Sequence, residues 1–245
     1  MFIDLIVLFL LPMINLMLVA LLIIFIVRLP VYLKFRQSNY GAISGNNMMK
    51  IIKSRGLYGE FLIFYALEKI DCDHKYLLTN VYLPNGEGEL TEIDLLMLTR
   101  KGIIVIESKN YSGWIFGDER HKMWTQTLKG GKKQQFFNPV WQNKGHITAL
   151  KKYVAKIHDD AIFSFIVFSE RCELKKITTT SKNLFVIKRG KLNSEIIKVL
   201  DANPYLLTEE EVDQIYNELK KMTQMSESVK ENHIKSIEIK KSKMS

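Results

Sequence analysis

Leu5 to Val27 run 23 residues without a charge, and the pattern then changes abruptly. As a helix this stretch spans about 34 Å, enough for the ~30 Å hydrocarbon core of a bilayer. Gln37 to Asn47, rich in Gly, Ser and Asn, predicts a flexible linker, with the globular part beginning near Met49. Gly56 to Ile70 is helical in period and apolar on nearly every side, which predicts a buried helix. Glu60 is the one charge in its first turns, where the helix dipole favours a carboxylate. Tyr76 to Leu83, Leu90 to Leu98 and a run from Ile103 predict a three-strand antiparallel meander, closed by turns at Pro84 to Gly88 and Thr99 to Gly102. Trp114 to Phe116 and Lys122 to Leu128 suggest two short strands. Asn138 caps a helix that starts at Pro139 and runs to Ile157. Strands at Ile162 to Phe168 and Leu184 to Ile187 follow, then helices near Ser194 to Leu200 and Glu209 to Met222. The last begins with a capping box, Thr208 and Glu211. The resulting organisation is an anchor with short flanks at 1–33, a linker at 34–48, a globular domain at 49–222 and a basic tail without fixed structure at 223–245.

Composition refines this picture. With 245 residues, 47% of them hydrophobic, the chain can bury a sizeable core. The start Met-Phe-Ile-Asp and the exit Val-Arg-Leu-Pro suit an uncleaved anchor, not a secretory signal peptide. Asp4 precedes the apolar stretch while Arg28, Lys34 and Arg36 follow it, so the positive-inside rule predicts a single-pass cell-membrane protein with a cytoplasmic C-terminal domain. A net charge of +9 implies an anionic partner, nucleic acid or lipid head groups. Basic clusters lie at Lys129, Lys132 and Lys133, at Lys151 and Lys152, at Lys175 and Lys176, and from Lys188 to Lys191; any one of them could equally be solvated surface. Two cysteines a hundred residues apart, and five histidines without ligand spacing, argue against zinc or a redox motif.

One stretch holds a conflict. Ile103 to Ile106 reads as a strand buried on both faces, yet it continues into Glu107, Ser108 and Lys109. Glu107 and Lys109 leave the same face about 7 Å apart. They could form an ordinary ion pair where the strand meets solvent. Geometry offers another reading: if Leu98 pairs with Ile103 across the hairpin, Asp94 falls opposite Glu107, whereas a one-residue shift dissolves the arrangement. Opposed carboxylates in strands built for burial need a counter-charge. Mg²⁺ or Mn²⁺ would supply it through hard oxygen ligands, Asp94 and Glu107, with Lys109 directed at a phosphate or at the attacking nucleophile.

Gly56-Leu-Tyr-Gly-Glu60, Glu92-Ile-Asp94-Leu-Leu, Ile106-Glu107-Ser-Lys109-Asn-Tyr-Ser-Gly-Trp114 and Asn138-Pro-Val-Trp-Gln142-Asn, in that order, resemble the nuclease-related domain (NERD) family of the PD-(D/E)XK nuclease superfamily. The resemblance covers residues 53 to 157. It implies an α/β fold, a restriction-endonuclease-like core with a central mixed sheet flanked by helices, here preceded by one transmembrane helix. It further implies a metal on Asp94 and Glu107, catalytic support from Lys109, an additional acidic residue at Glu60 and a helix glutamine at Gln142. Ile93 departs from the proline of the superfamily's name. Read without the family, Glu60 could be a helix N-terminal carboxylate and Gln142 a capping or surface amide. Trp114, Trp124 and Trp141 are expected in the core before serving as base-stacking platforms.

These readings lead to a membrane-anchored, Mg²⁺-dependent (or Mn²⁺-dependent) nuclease acting on nucleic acid, DNA ahead of RNA, with Lys129, Lys132 and Lys133 as candidate phosphate contacts. The alternatives are a non-catalytic nucleic-acid-binding module tethered to the membrane, or an interaction scaffold with a nuclease-like fold.

Overall fold

A computed structural model describes residues 2–86, 89–154 and 157–223. The long apolar stretch is helix α1, Phe2–Arg36, with Pro12 and Pro30 inside it. An 18-residue window within Val7–Arg36 has a mean hydropathy of 2.9, and the stretch is long and apolar enough to cross a membrane.

The last turns of α1 behave differently, because Val31 and Phe35 pack against the globular core. Two short helices follow, α2 (Tyr40–Ser44) and α3 (Met48–Lys53). Tyr40 is fully buried. Its ring lies 5.5 Å from that of Phe61 and 5.4 Å from that of Phe64, and Phe35 meets Phe61 edge-on at 5.9 Å. The linker expected at 34–48 is therefore corrected: the segment is helical and contributes an aromatic anchor to the core. Gly, Ser and Asn set its composition, but burying one tyrosine decides its conformation.

Helix α4, Arg55–Glu68, is capped by Ser54 and buries Gly59, Phe61, Ile63, Phe64 and Leu67. It covers one face of a five-stranded sheet whose first strands, β1 (Tyr76–Pro84), β2 (Leu90–Thr99) and β3 (Gly102–Lys109), form the expected antiparallel meander. After β3 the chain makes β4 (Gly113–Asp118), β5 (Met123–Thr127) and β6 (Lys133–Phe137), then helix α5 (Pro139–Tyr153). It returns through β7 (Ile162–Phe168), β8 (Cys172–Thr178) and β9 (Leu184–Lys188) to helices α6 (Leu192–Ala202) and α7 (Glu209–Lys221). Two mixed sheets result, β1-β2-β3-β7-β9 and β6-β5-β4-β8. In the first, β3, β7 and β9 are mutually parallel.

The unbroken apolar runs of β2 and β3 follow from cover on both faces. Leu95, Met97, Ile104 and Ile106 join the core beneath α4 and α6, while Leu96, Leu98, Ile103 and Val105 join the core beneath α5 and α7. A third cluster under the second sheet centres on Trp124, stacked on Phe168 with ring centroids 6.2 Å apart. Gly117 admits that indole, since a Cβ there would lie 2.1 Å from it.

Other expectations also need correction. The helix from Pro139 ends at Tyr153, not Ile157. Strands β6 and β8 were not expected; they are the edges of the second sheet, β6 mostly exposed and β8 burying Cys172 and packing Leu174 and Ile177 on the third cluster. Trp124 is core, but Trp114 and Trp141 are 49% and 39% exposed. The capping box at Thr208 and Glu211 is present. The tail beyond Thr223 lies outside the described residues.

Candidate functional site

The hairpin of β2 and β3 has the register that places Leu98 against Ile103. The last ladder partners before the site are Leu95 and Ile106. Beyond them Asp94 turns its carboxylate onto the partner strand, where Oδ2 accepts the Ser108 backbone N–H at 2.8 Å. Glu107 is 1% exposed. Such a carboxylate needs compensation. It is compensated twice: Oε1 accepts from Lys109 Nζ at 2.5 Å, and Oε2 lies 3.1 Å from His146 Nε2. Lys109 thus supplies a counter-charge to Glu107.

Helix α5 fixes the other side of this network. Asn138, Gln142 and His146 are spaced by four and share one helix face. Asn138 is fully buried. It accepts from Val140 N at 2.9 Å and donates Nδ2 to the carbonyls of Glu119 and His121 at 3.1 and 2.7 Å, tying the helix start to the turn after β4. Gln142 accepts at Oε1 from Lys109 Nζ at 3.0 Å. Asn143 donates to Val105 O at 3.0 Å and to Ser164 Oγ at 2.8 Å, pinning α5 to β3 and β7. His146 Nδ1 meets Thr91 Oγ1 at 2.7 Å, so the ring is held between Thr91 and Glu107. His146 and Thr91 were not singled out from the sequence. The available signal was His146's place four residues after Gln142.

Glu60 reaches the network from α4. Burial pushes its carboxyl up to about 8, with further contributions from Glu92 and Glu107. The favourable dipole expected at a helix start is outweighed. Its Oε2 is buried and has no hydrogen-bond partner. Burial also pushes Asp94 well above the ordinary carboxyl value, assisted by Glu107 and Glu60. Burial opposes ionisation of Glu107 too, but Lys109 and His146 outweigh it and its carboxyl lies below the usual value. For Lys109, burial is outweighed by Glu107, Tyr111 and Asp94, and the ammonium is held charged. One lysine therefore serves three mutually repelling carboxylates.

The donor set can be tested against a divalent cation. Among the described residues, no three His, Cys, Asp or Glu side chains form a ready-made metal cage. Mg²⁺, however, is commonly held by one or two carboxylates together with substrate phosphate. Asp94 and Glu107 offer hard oxygen donors, and the unpartnered Glu60 oxygen and the raised Glu60 and Asp94 carboxyls mark a deficit of positive charge. The residues fit on those grounds.

A pH signature follows. Glu60's folded pKa lies above its ordinary 4.5, so its protonated form contributes stability below about pH 4.5 that is lost as pH rises through about 8. Glu60→Gln should gain stability relative to the parent between those values, measured by thermal melts in chelator. A pH-independent difference between the two would contradict this.

Lys129, Lys132 and Lys133 are exposed around the β5–β6 turn. Elsewhere basic residues are partly neutralised: Lys151 pairs with Asp159, Lys175 with Glu173 and Lys188 with Glu170.

The nuclease-related domain family model matches residues 55–169, a span containing Glu60, Asp94, Glu107, Lys109, Gln142 and His146. An uncharacterized protein of Bacillus anthracis is 32% identical over 192 residues, covering 78% of this chain and 88% of that protein. No solved structure gives a significant match. On its ordered motifs, on this span and on the extent of that likeness, the chain belongs to the nuclease-related domain family.

Proposed function

We propose that the chain is a membrane-anchored, metal-dependent nuclease that hydrolyses phosphodiester bonds in nucleic acid, DNA ahead of RNA. The observation that carries this reading is the buried Glu107–Lys109 pair set among the repelling carboxylates of Asp94 and Glu60. Asp94 and Glu107 would hold Mg²⁺ or Mn²⁺. Bound there, the cation would neutralise charge developing on the phosphoryl oxygens. Lys109, oriented by Glu107 and Gln142, would donate hydrogen bonds to the phosphate or to the attacking water. Glu60, its carboxyl raised to about 8, is a stronger base than an ordinary carboxylate and is suited to receive that water's proton. Helix α1 would cross the membrane once, and the cations following it favour a cytoplasmic domain.

A second reading is a non-catalytic nucleic-acid module at the membrane. It is favoured by one specific fact, that both Glu107 oxygens are already engaged, Oε1 by Lys109 and Oε2 by His146. The two separate when the full chain, in detergent micelles, is incubated with labelled DNA and RNA in Mg²⁺ or in chelator. Cation-dependent products support the nuclease, whereas binding without products supports the module.

Under either reading, the exposed lysines of the β5–β6 turn are expected to contact phosphates. Replacing Lys129, Lys132 and Lys133 with Gln should flatten the salt dependence of duplex-DNA binding by about 0.9 log unit per lost contact. An unchanged slope would make the cluster ordinary surface.

A further inference from the structure

The C-terminal ends of three parallel strands meet beside the carboxylate network. Lys109 ends β3, Phe168 ends β7 and Lys188 ends β9, and the register sets them side by side. In open α/β sheets this is the edge where ligands gather. The surface is only slightly indented there, and the polar lining comes from Ser108, Lys109, Asn110, Ser169 and Arg189. Helix α4 forms the near wall at Gly59, where a Cβ would lie 2.9 Å from Asn110 Cβ and 3.2 Å from Ser108 Oγ.

The cations around this indentation differ in their engagements. Lys109 is held by Glu107 and Gln142. Lys188 lies 3.5 Å from Glu170, and Arg171 donates to Asn110 O and Oδ1 at 2.7 and 3.1 Å. Glu170 accepts the Gly190 N–H at 2.5 Å. Among the described residues, the Arg189 side chain makes no hydrogen bond or ion pair, although the residue is partly buried. A guanidinium carries five donors in a planar fork, and withdrawing it from water without a partner is unfavourable. Burial accordingly depresses its pKa despite the nearby Glu170. What suits five donors next to a charged lysine is an anion with several acceptor oxygens, for which an arginine fork and a phosphoryl group are matched.

We propose that Arg189 binds a phosphoryl group at this indentation, adjoining Lys109. Resting on the nuclease reading, that group is a backbone phosphate of the nucleic-acid strand, flanking the bond to be cut. Arg189 lies beyond the family-matched residues 55–169. The C-terminal extension of this chain would thus complete a site whose centre belongs to the family domain.

The test is fluorescence anisotropy with a labelled single-stranded DNA oligonucleotide, using the full chain in detergent micelles and chelator so that binding is read without cleavage. Salt is varied, and inorganic phosphate is added in parallel melts. Arg189→Gln is expected to weaken oligonucleotide binding about tenfold or more and to flatten the salt slope by about 0.7 log unit. Arg189→Lys should keep the slope but recover only part of the affinity, since an ammonium cannot reproduce the fork. Parent-like affinity and slope in Arg189→Gln would overturn the subsite and leave the nuclease reading standing. If the parent ignores the oligonucleotide, yet inorganic phosphate raises the melting temperature of the parent and not of Arg189→Gln, the nuclease reading falls and Arg189 is a site for free phosphate. No response to either ligand overturns both.

Discussion

Lys109→Ala is expected to destabilise the chelated protein by about 3–5 kcal/mol and to abolish cleavage. The stability loss comes from Glu107, which is 1% exposed and would keep only His146 as partner. Removing one member of a buried pair leaves the full desolvation cost of the other. Asp94→Asn should behave differently, although it sits across the same hairpin. Its carboxylate is disfavoured by burial and by Glu107, and an asparagine oxygen can still accept the Ser108 N–H. That variant should be as stable as the parent or more so. Denaturant melts of the full chain in chelator compare the two directly. Equal losses for both variants would mean that the carboxylates are not in mutual repulsion.

Tyr40→Ala carries a comparable expected loss, about 3–5 kcal/mol, for a different reason. The ring is fully buried between Phe61 and Phe64 on the helix that carries Glu60. Tyr40→Phe keeps the ring and removes only a buried hydroxyl beside Ser44 and Asn46. It should cost under about 1 kcal/mol. A fragment beginning at Asn46 lacks Tyr40 and Phe35 together and should be at least as unstable as Tyr40→Ala. Should Tyr40→Ala melt like the parent, α2 is not an integral part of the core. Through Phe35 and Tyr40 the long apolar helix is coupled by packing to α4, so its direction and the position of Glu60 are linked.

The β2–β3 hairpin was legible in the sequence because a two-residue turn, Arg100 and Lys101, between continuous apolar runs leaves one register that buries both faces. From that register the neighbourhood of Asp94, Glu107 and Lys109 could be worked out before any side chain was seen. The engagement of those side chains could not. Whether Lys109 faces a ligand or Glu107 depends on how far burial raises the cost of an uncompensated charge, a property of the packed interior. His146 has no metal-ligand spacing to mark it in the sequence; it holds a carboxylate from one helix turn beyond Gln142. Strand β6 is an edge strand with exposed polar side chains, and in β8 the apolar Cys172, Leu174 and Ile177 are too few and irregularly spaced to announce a strand. Tyr40 illustrates the opposite failure: a turn-rich local composition concealed one long-range contact with α4.

The most direct measurement is the rate of phosphodiester cleavage by the purified full chain in Mg²⁺, run beside Asp94→Asn and Lys109→Ala at a temperature where melts show all three folded. The account predicts cation-dependent cleavage by the parent and a loss of at least about a hundredfold in each variant, the scale on which removing a charge-stabilising group from an active site acts. Intact DNA and RNA after incubation of the parent with Mg²⁺ and with Mn²⁺, or equal cutting by all three proteins, would contradict it.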